Sequence, residues 1–226
     1  MALLELLRQE RSSSVDTLRM LGPDADTLCQ GWQARHIAAH LAMQDQSAGL
    51  PVLLSAPIAL PFLRFGVRAP SKFAQKFEGQ LEKLAKRDWI EVLNDLGAGP
   101  PRSVAMPVLA PMRLHENWIH HEDLRRSAGA ASRPSSPAVD NALWKALKWY
   151  GPYQRKVLSG IDLLLRSPSG DLLRLGDPDG EEVEAAGPAG ELALLISGRA
   201  HVSEAKLEGS EAGPRSAAPT LSLIHI

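Results

Sequence analysis

His40, Glu116 and His120 are the side chains whose types and spacing could hold a metal ion. Glu116 and His120 stand four apart in the run Leu114-His115-Glu116-Asn117-Trp118-Ile119-His120-His121-Glu122-Asp123, so on a helix they share one face. His40 lies far upstream, in Gly31-Trp32-Gln33-Ala34-Arg35-His36-Ile37-Ala38-Ala39-His40-Leu41. A third ligand arriving from a second helix would complete a metal site with one open position, and such sites activate water or thiols. A lone histidine beside Ile37 and Leu41 is more often a core residue. The company of Glu116 and His120 favours the ligand reading. A buried glutamate without a partner is costly, and a cation shared with two imidazoles removes that cost.

The neighbours of these residues admit blander readings. His36 and His40 have HxxxH spacing, but His36 is expected in a solvated first turn. His121 is rotated by about 100° from His120, so it supports or packs rather than ligates, and His115 is displaced in the same way from Glu116. Asp123 could accept the second N–H of His120 or pair with Arg126. Trp32 is expected to pack in the core rather than wall a pocket, and Trp118 to pack inward or against the C-terminal part. Cys29 reads as a buried structural thiol, because nothing adjacent in sequence would activate it. His201 is expected at the surface.

These residues must be positioned by helices. Residues 2 to 21 carry Leu3, Leu4, Leu7, Val15, Leu18 and Leu21 at helical spacing, and Gly22-Pro23-Asp24 ends the segment. A second helix is expected over residues 33–46, carrying His40. Residues 50–70 hold Pro51, Pro57 and Pro61 and read as a buried or semi-buried loop over a pocket, too broken to span a bilayer. Helical stripes follow over 71–86 and 89–96. A long helix over 108–128 carries Glu116 and His120, with Arg125 and Arg126 at the negative end of its dipole. Another is expected over 140–158, kinked at Gly151-Pro152. Beyond Gly160 the pattern changes to short strands at 161–165, 172–175 and 182–185, a helix at 191–196, and a last strand at 202–207.

The expected fold is therefore mainly α: a helical part over 1–158, a small α+β domain over 159–213, and a disordered tail over 214–226. Within that tail Leu221-Ser222-Leu223-Ile224-His225-Ile226 matches the translation of a transposon-type sequencing adapter. It is set aside, His225 included, and the natural C-terminus is expected to be missing.

Bulk composition narrows the function. The 226 residues are 44% hydrophobic and 23% charged, with a formal net charge of −1. That is an ordinary globular balance. No basic block offers a footprint for nucleic acid or an anionic membrane. Cys29 is the only cysteine, so no internal disulfide forms, which fits a cytoplasmic protein. The first residues lack the basic leader of a signal peptide. No phosphate-binding glycine loop, cysteine pair or serine elbow is present.

The segments Gly22-Pro23-Asp24-Ala25-Asp26-Thr27-Leu28-Cys29-Gln30-Gly31-Trp32, Ala38-Ala39-His40-Leu41 and Glu116 through Arg126 carry a family resemblance. So do Gly187-Pro188-Ala189-Gly190-Glu191-Leu192 and Gly198-Arg199, near the end. The chain resembles the mycothiol-dependent maleylpyruvate isomerase-like proteins, and among them an actinobacterial metal-binding subgroup. The resemblance implies a DinB-like four-helix bundle followed by the family's small C-terminal domain. It implies that His40, Glu116 and His120 bind a divalent metal, usually zinc, and that a low-molecular-weight thiol such as mycothiol is a cofactor. One departure is His36, where the family usually has aspartate supporting the helix N-terminus. Histidine there loses that support or adds a ligand.

The expected function is a metal-dependent protein that activates a thiol for isomerisation of, or transfer to, a small electrophile. A metal-dependent hydrolase, a non-catalytic metal or small-ligand binder, and a dimerising scaffold with a buried polar cluster are the alternatives. The expected partner is a small-molecule substrate, with neither nucleic acid nor membrane, and the protein is expected to be a monomer or homodimer.

Overall fold

The structure is a computed structural model that describes residues 3–47, 71–99, 110–134, 136–154 and 160–209. The proline-rich segment over 50–70 and the tail over 214–226 lie outside the described residues. The elements run α1 (Leu3–Leu21), α2 (Ala34–Ser47), α3 (Ser71–Ala85), α4 (Trp89–Ala98), α5 (Ala110–Ser127), α6 (Pro137–Gln154), β1 (Ile161–Arg166), β2 (Leu172–Gly176), β3 (Glu181–Ala186), α7 (Ala189–Ile196) and β4 (Lys206–Gly209). The fold is mainly α with a small four-stranded sheet. Among the described residues no helix is long and apolar enough to cross a membrane.

Two compact units divide the described elements, one holding α1 to α5 and the other α6, the sheet and α7. In the first, α1, α2, α4 and α5 share one core. Val15 and Leu18 come from α1, Ala34, Ile37, Ala38, Leu41 and Ala42 from α2, Val92, Leu93 and Leu96 from α4, and Leu124 from α5. These apolar residues recur at helical spacing, so each helix turns one stripe inward. Helix α3 adds Leu81 and Ala85, which pack on Ala39 of α2. Asp88 caps α4 by accepting the backbone N–H of Glu91 at 3.0 Å.

Helix α5 departs from this pattern. It buries Arg113, His115, Asn117, His120, His121, Glu122 and Asp123 along with its apolar residues. Buried polar groups persist when they are bonded. Glu122, fully buried, takes Arg125 at 2.8 Å and Arg126 at 2.6 Å. His121 donates from Nδ1 to Glu10 of α1 at 2.8 Å, and its Nε2 lies 2.9 Å from the Thr17 hydroxyl. Asn117 donates to the Arg113 carbonyl at 2.8 Å. Specific polar pairs thus hold α5 against its neighbours alongside its apolar contacts.

In the second unit the sheet order is β2-β1-β3-β4, with β1 and β3 parallel and the outer pairs antiparallel. Leu163, Leu165, Val183 and Ala185 are buried at alternating positions, as one core-facing side of a sheet requires. Every residue of α7 is buried. Helix α6, grouped with the bundle in the sequence reading, packs here against α7 and β2. The last strand starts at Lys206 rather than Val202. The amides of Val202 and Ser203 instead bond the Arg199 carbonyl, each at 3.1 Å, and Glu204 N–H bonds Glu191 Oε2 at 2.8 Å. These bonds take up the donors that a ladder would need.

Candidate metal centre

Helices α2 and α5 meet in the bundle, and His40 faces Glu116 and His120 across that contact. Glu116 Oε2 lies 3.6 Å from Nε2 of His40 and 3.8 Å from Nε2 of His120. The two imidazoles stand edge to face with centroids 4.9 Å apart. One ligand atom from each of the three residues falls within 4.8 Å of the other two. These separations are too long for hydrogen bonds. They approach the edge of a tetrahedron with metal–ligand bonds of 2.0–2.1 Å, about 3.3 Å. Two nitrogens and one carboxylate oxygen form a donor set that suits zinc.

The side chains around the three candidate donors hold them in place. His120 turns Nδ1 toward Asp123, whose Oδ2 accepts at 3.0 Å, and this leaves Nε2 facing Glu116. Asp123 is fully buried and also accepts from the Cys29 thiol at 3.0 Å. Arg126 donates from Nε to Glu122 Oε2 at 2.6 Å. His115 approaches the other oxygen of Glu116, with Nδ1 3.9 Å from Oε1.

The electrostatics follow from burial and these neighbours. Burial pushes Glu116 up, but His115, His40 and His120 outweigh it and hold the carboxyl well below its usual range. Burial dominates at His40 and lowers its pKa, even with Glu116 beside it. At His120 burial also works against the proton. The Asp123 hydrogen bond and the adjacent Cys29 overcome it and raise the imidazole to about 10. The neighbours thus favour the charged carboxylate at Glu116, while burial disfavours a proton on His40 and Asp123 favours one on His120.

The loop before α2 supplies two side chains, Cys29 and Trp32, that pack on the core as expected and also reach the His120 ring. Trp32 lies 5.3 Å from the His40 ring and stacks on His120 at 6.0 Å, so it walls the centre. Cys29 Sγ lies 3.7 Å from His120 Nδ1, behind the ring. A tight turn holds both: the Trp32 amide bonds the Cys29 carbonyl at 2.9 Å, and Gly31 supplies φ of 79°. Thr27 accepts the Cys29 amide at 3.1 Å and donates to the Trp32 carbonyl at 2.8 Å. The loop is pinned to α5 by Leu28 N–H on the Asp123 carbonyl at 3.3 Å and by the Ser127 hydroxyl on the Asp26 carbonyl at 2.7 Å.

Other expected candidates fall elsewhere. His36 is half-buried rather than solvated, with Nε2 3.4 Å from Glu82 Oε1 on α3. Its Nδ1 accepts the Gln33 amide at 3.0 Å, which satisfies a donor at the start of α2. The N-terminal support thought lost with aspartate is supplied by imidazole. His121 turns away to α1, Trp118 is buried, and His201 is exposed. Gln44, one turn beyond His40, went unremarked in the sequence. Its amide nitrogen lies 2.9 Å from His40 Nε2 and 3.3 Å from Glu116 Oε2. The i, i+4 spacing was the signal that could have found it.

The profile of the mycothiol maleylpyruvate isomerase N-terminal domain matches residues 4–125. No curated protein matches the chain in sequence. The crystal structure of the mycothiol-dependent maleylpyruvate isomerase is similar at 19% identity and a TM-score of 0.58, covering 93% of this chain and 92% of that one. A histidine-to-alanine mutant of that enzyme is similar at 18% identity and a TM-score of 0.57, covering 91% of each chain. These likenesses place the fold, helical bundle followed by a small α+β part, with that enzyme. By its matched N-terminal residues the chain belongs to the mycothiol maleylpyruvate isomerase N-terminal domain family.

Proposed function

We propose that this chain binds a divalent metal through His40, Glu116 and His120 and activates a low-molecular-weight thiol of the mycothiol type. The thiol would serve isomerisation of a small electrophile or be transferred to it. One observation carries the reading: Glu116 Oε2 stands beside Nε2 of both histidines at 3.6 and 3.8 Å, and Asp123 holds the opposite nitrogen of His120. When bound, a zinc-type ion supplies the positive charge that lets a thiol give up its proton near neutral pH. The chain does the rest. Asp123 fixes the tautomer and orientation of His120, Trp32 shields one flank from water, and Glu116 contributes the negative charge that offsets a cation. The structural neighbours are named for a mycothiol-dependent isomerase, which favours a thiol over water as the activated group.

The test is elemental analysis of wild type beside His40→Ala and His120→Ala, followed by turnover of maleylpyruvate with mycothiol. Wild type should carry about one ion per chain, and both variants should lose it, because removing even a supporting partner costs 10–100-fold in affinity. Turnover should disappear with chelation. Equal metal content in all three proteins would overturn the assignment, and bound metal without any thiol effect would make the protein a binder.

A further inference from the structure

We propose that Gln44 is a fourth protein donor at this centre, displaced when a thiol binds. The inference rests on the reading of His40, Glu116 and His120 as the cation's ligands. Gln44 lies one turn beyond His40 on α2, so both side chains leave the same helix face. The end of its amide is 2.9 Å from His40 Nε2 and 3.3 Å from Glu116 Oε2. With the 3.6 and 3.8 Å separations among the three donors, these distances straddle the about 3.3 Å edge of a tetrahedral site. The end of the amide therefore stands within the range of a tetrahedral edge from two of the three donors, His40 and Glu116.

The chemistry of the amide supports the role. In this arrangement Gln44 Nε2 donates to His40 Nε2 and to Glu116 Oε2, whose lone pairs are the ones a cation would take. A cation at the centre repels those N–H groups. A half turn about the last side-chain bond exchanges the amide nitrogen for its oxygen, which is an acceptor. The oxygen is neutral, so it is a weaker donor than a thiolate and gives way to one. In that exchange the thiol proton goes to solvent, the sulfur takes the place of Gln44 Oε1, and no oxidation or reduction occurs. Gln44 thereby closes the resting centre against adventitious ligands and sets the affinity for the thiol.

The experiment titrates Co2+ into metal-free full-length protein by visible absorption, then adds 2-mercaptoethanol and follows the sulfur-to-cobalt charge-transfer band. Wild type, Gln44→Ala, Gln44→Met, Gln44→Glu and His120→Ala are compared, with far-ultraviolet circular dichroism confirming the helices. Gln44→Ala and Gln44→Met should each shift the cobalt spectrum, weaken Co2+ binding about tenfold, and tighten thiol binding. Gln44→Glu should do the reverse on both counts. If Co2+ binds wild type but not His120→Ala, while Gln44→Ala and Gln44→Met match wild type in spectrum and thiol affinity, the role of Gln44 is overturned and the centre stands. If wild type takes up no Co2+ beyond His120→Ala, the reading of the centre itself fails, and this inference with it.

Discussion

Asp123 Oδ2 accepts from Nδ1 of His120 at 3.0 Å, on the side of the ring opposite the nitrogen that faces Glu116. The two residues are one helical turn apart on α5, so the bond needs no other element to form. It sets which nitrogen of His120 is available as a donor.

Asp123→Ala should therefore lower metal affinity 10–100-fold while the ligands themselves remain in place. Isothermal titration of Zn2+ into metal-free protein checks this. An affinity equal to that of wild type would mean that Asp123 does not position His120.

The raised pKa of His120 fixes the sign of a pH dependence in the metal-free protein. Folded His120 keeps its proton up to about 10, whereas the unfolded imidazole loses it near 6.5. Its contribution to stability is complete below the unfolded value and is lost as pH rises toward about 10. Thermal melts of chelator-treated protein should show a falling Tm from pH 7 to 9. Zn2+ binding must expel the same proton, so apparent metal affinity should rise across that range. A flat affinity profile would count against His120 as a ligand.

His121 belongs to the scaffold. It ties α5 to α1 through Glu10 and Thr17 at 2.8 and 2.9 Å. His121→Ala leaves buried Glu10 and half-buried Thr17 each short of a partner and should destabilise the fold by about 1–3 kcal/mol. Urea denaturation measures the loss, and metal content per folded chain should stay at the wild-type level.

His36 separates capping from ligation. His36→Ala removes the acceptor of the Gln33 amide and should cost about 1 kcal/mol by loss of a helix N-terminal bond. Metal stoichiometry should not change. A drop in bound metal would show that the HxxxH spacing has a ligand role after all.

The sequence by itself determined what is local. Helical periodicity defined α1, α2, α4 and α5 to within a few residues, because an inward stripe repeats every turn whatever it packs against. The same periodicity placed Glu116 with His120 and brought Asp123 within reach of His120. It did not foretell that α6 packs with the sheet, or that residues 202–204 bond Arg199 and Glu191 instead of forming a strand. Tertiary structure decided the contacts across elements. Cys29 and Trp32 reach His120 because a turn at Gly31 and backbone bonds to α5 fold the loop over the ring. His121 finds Glu10 more than a hundred positions away, where no spacing rule applies. Side-chain pairs within a helix are fixed by 3.6 residues per turn, whereas pairs between helices depend on crossing and loop geometry that emerge when the core closes.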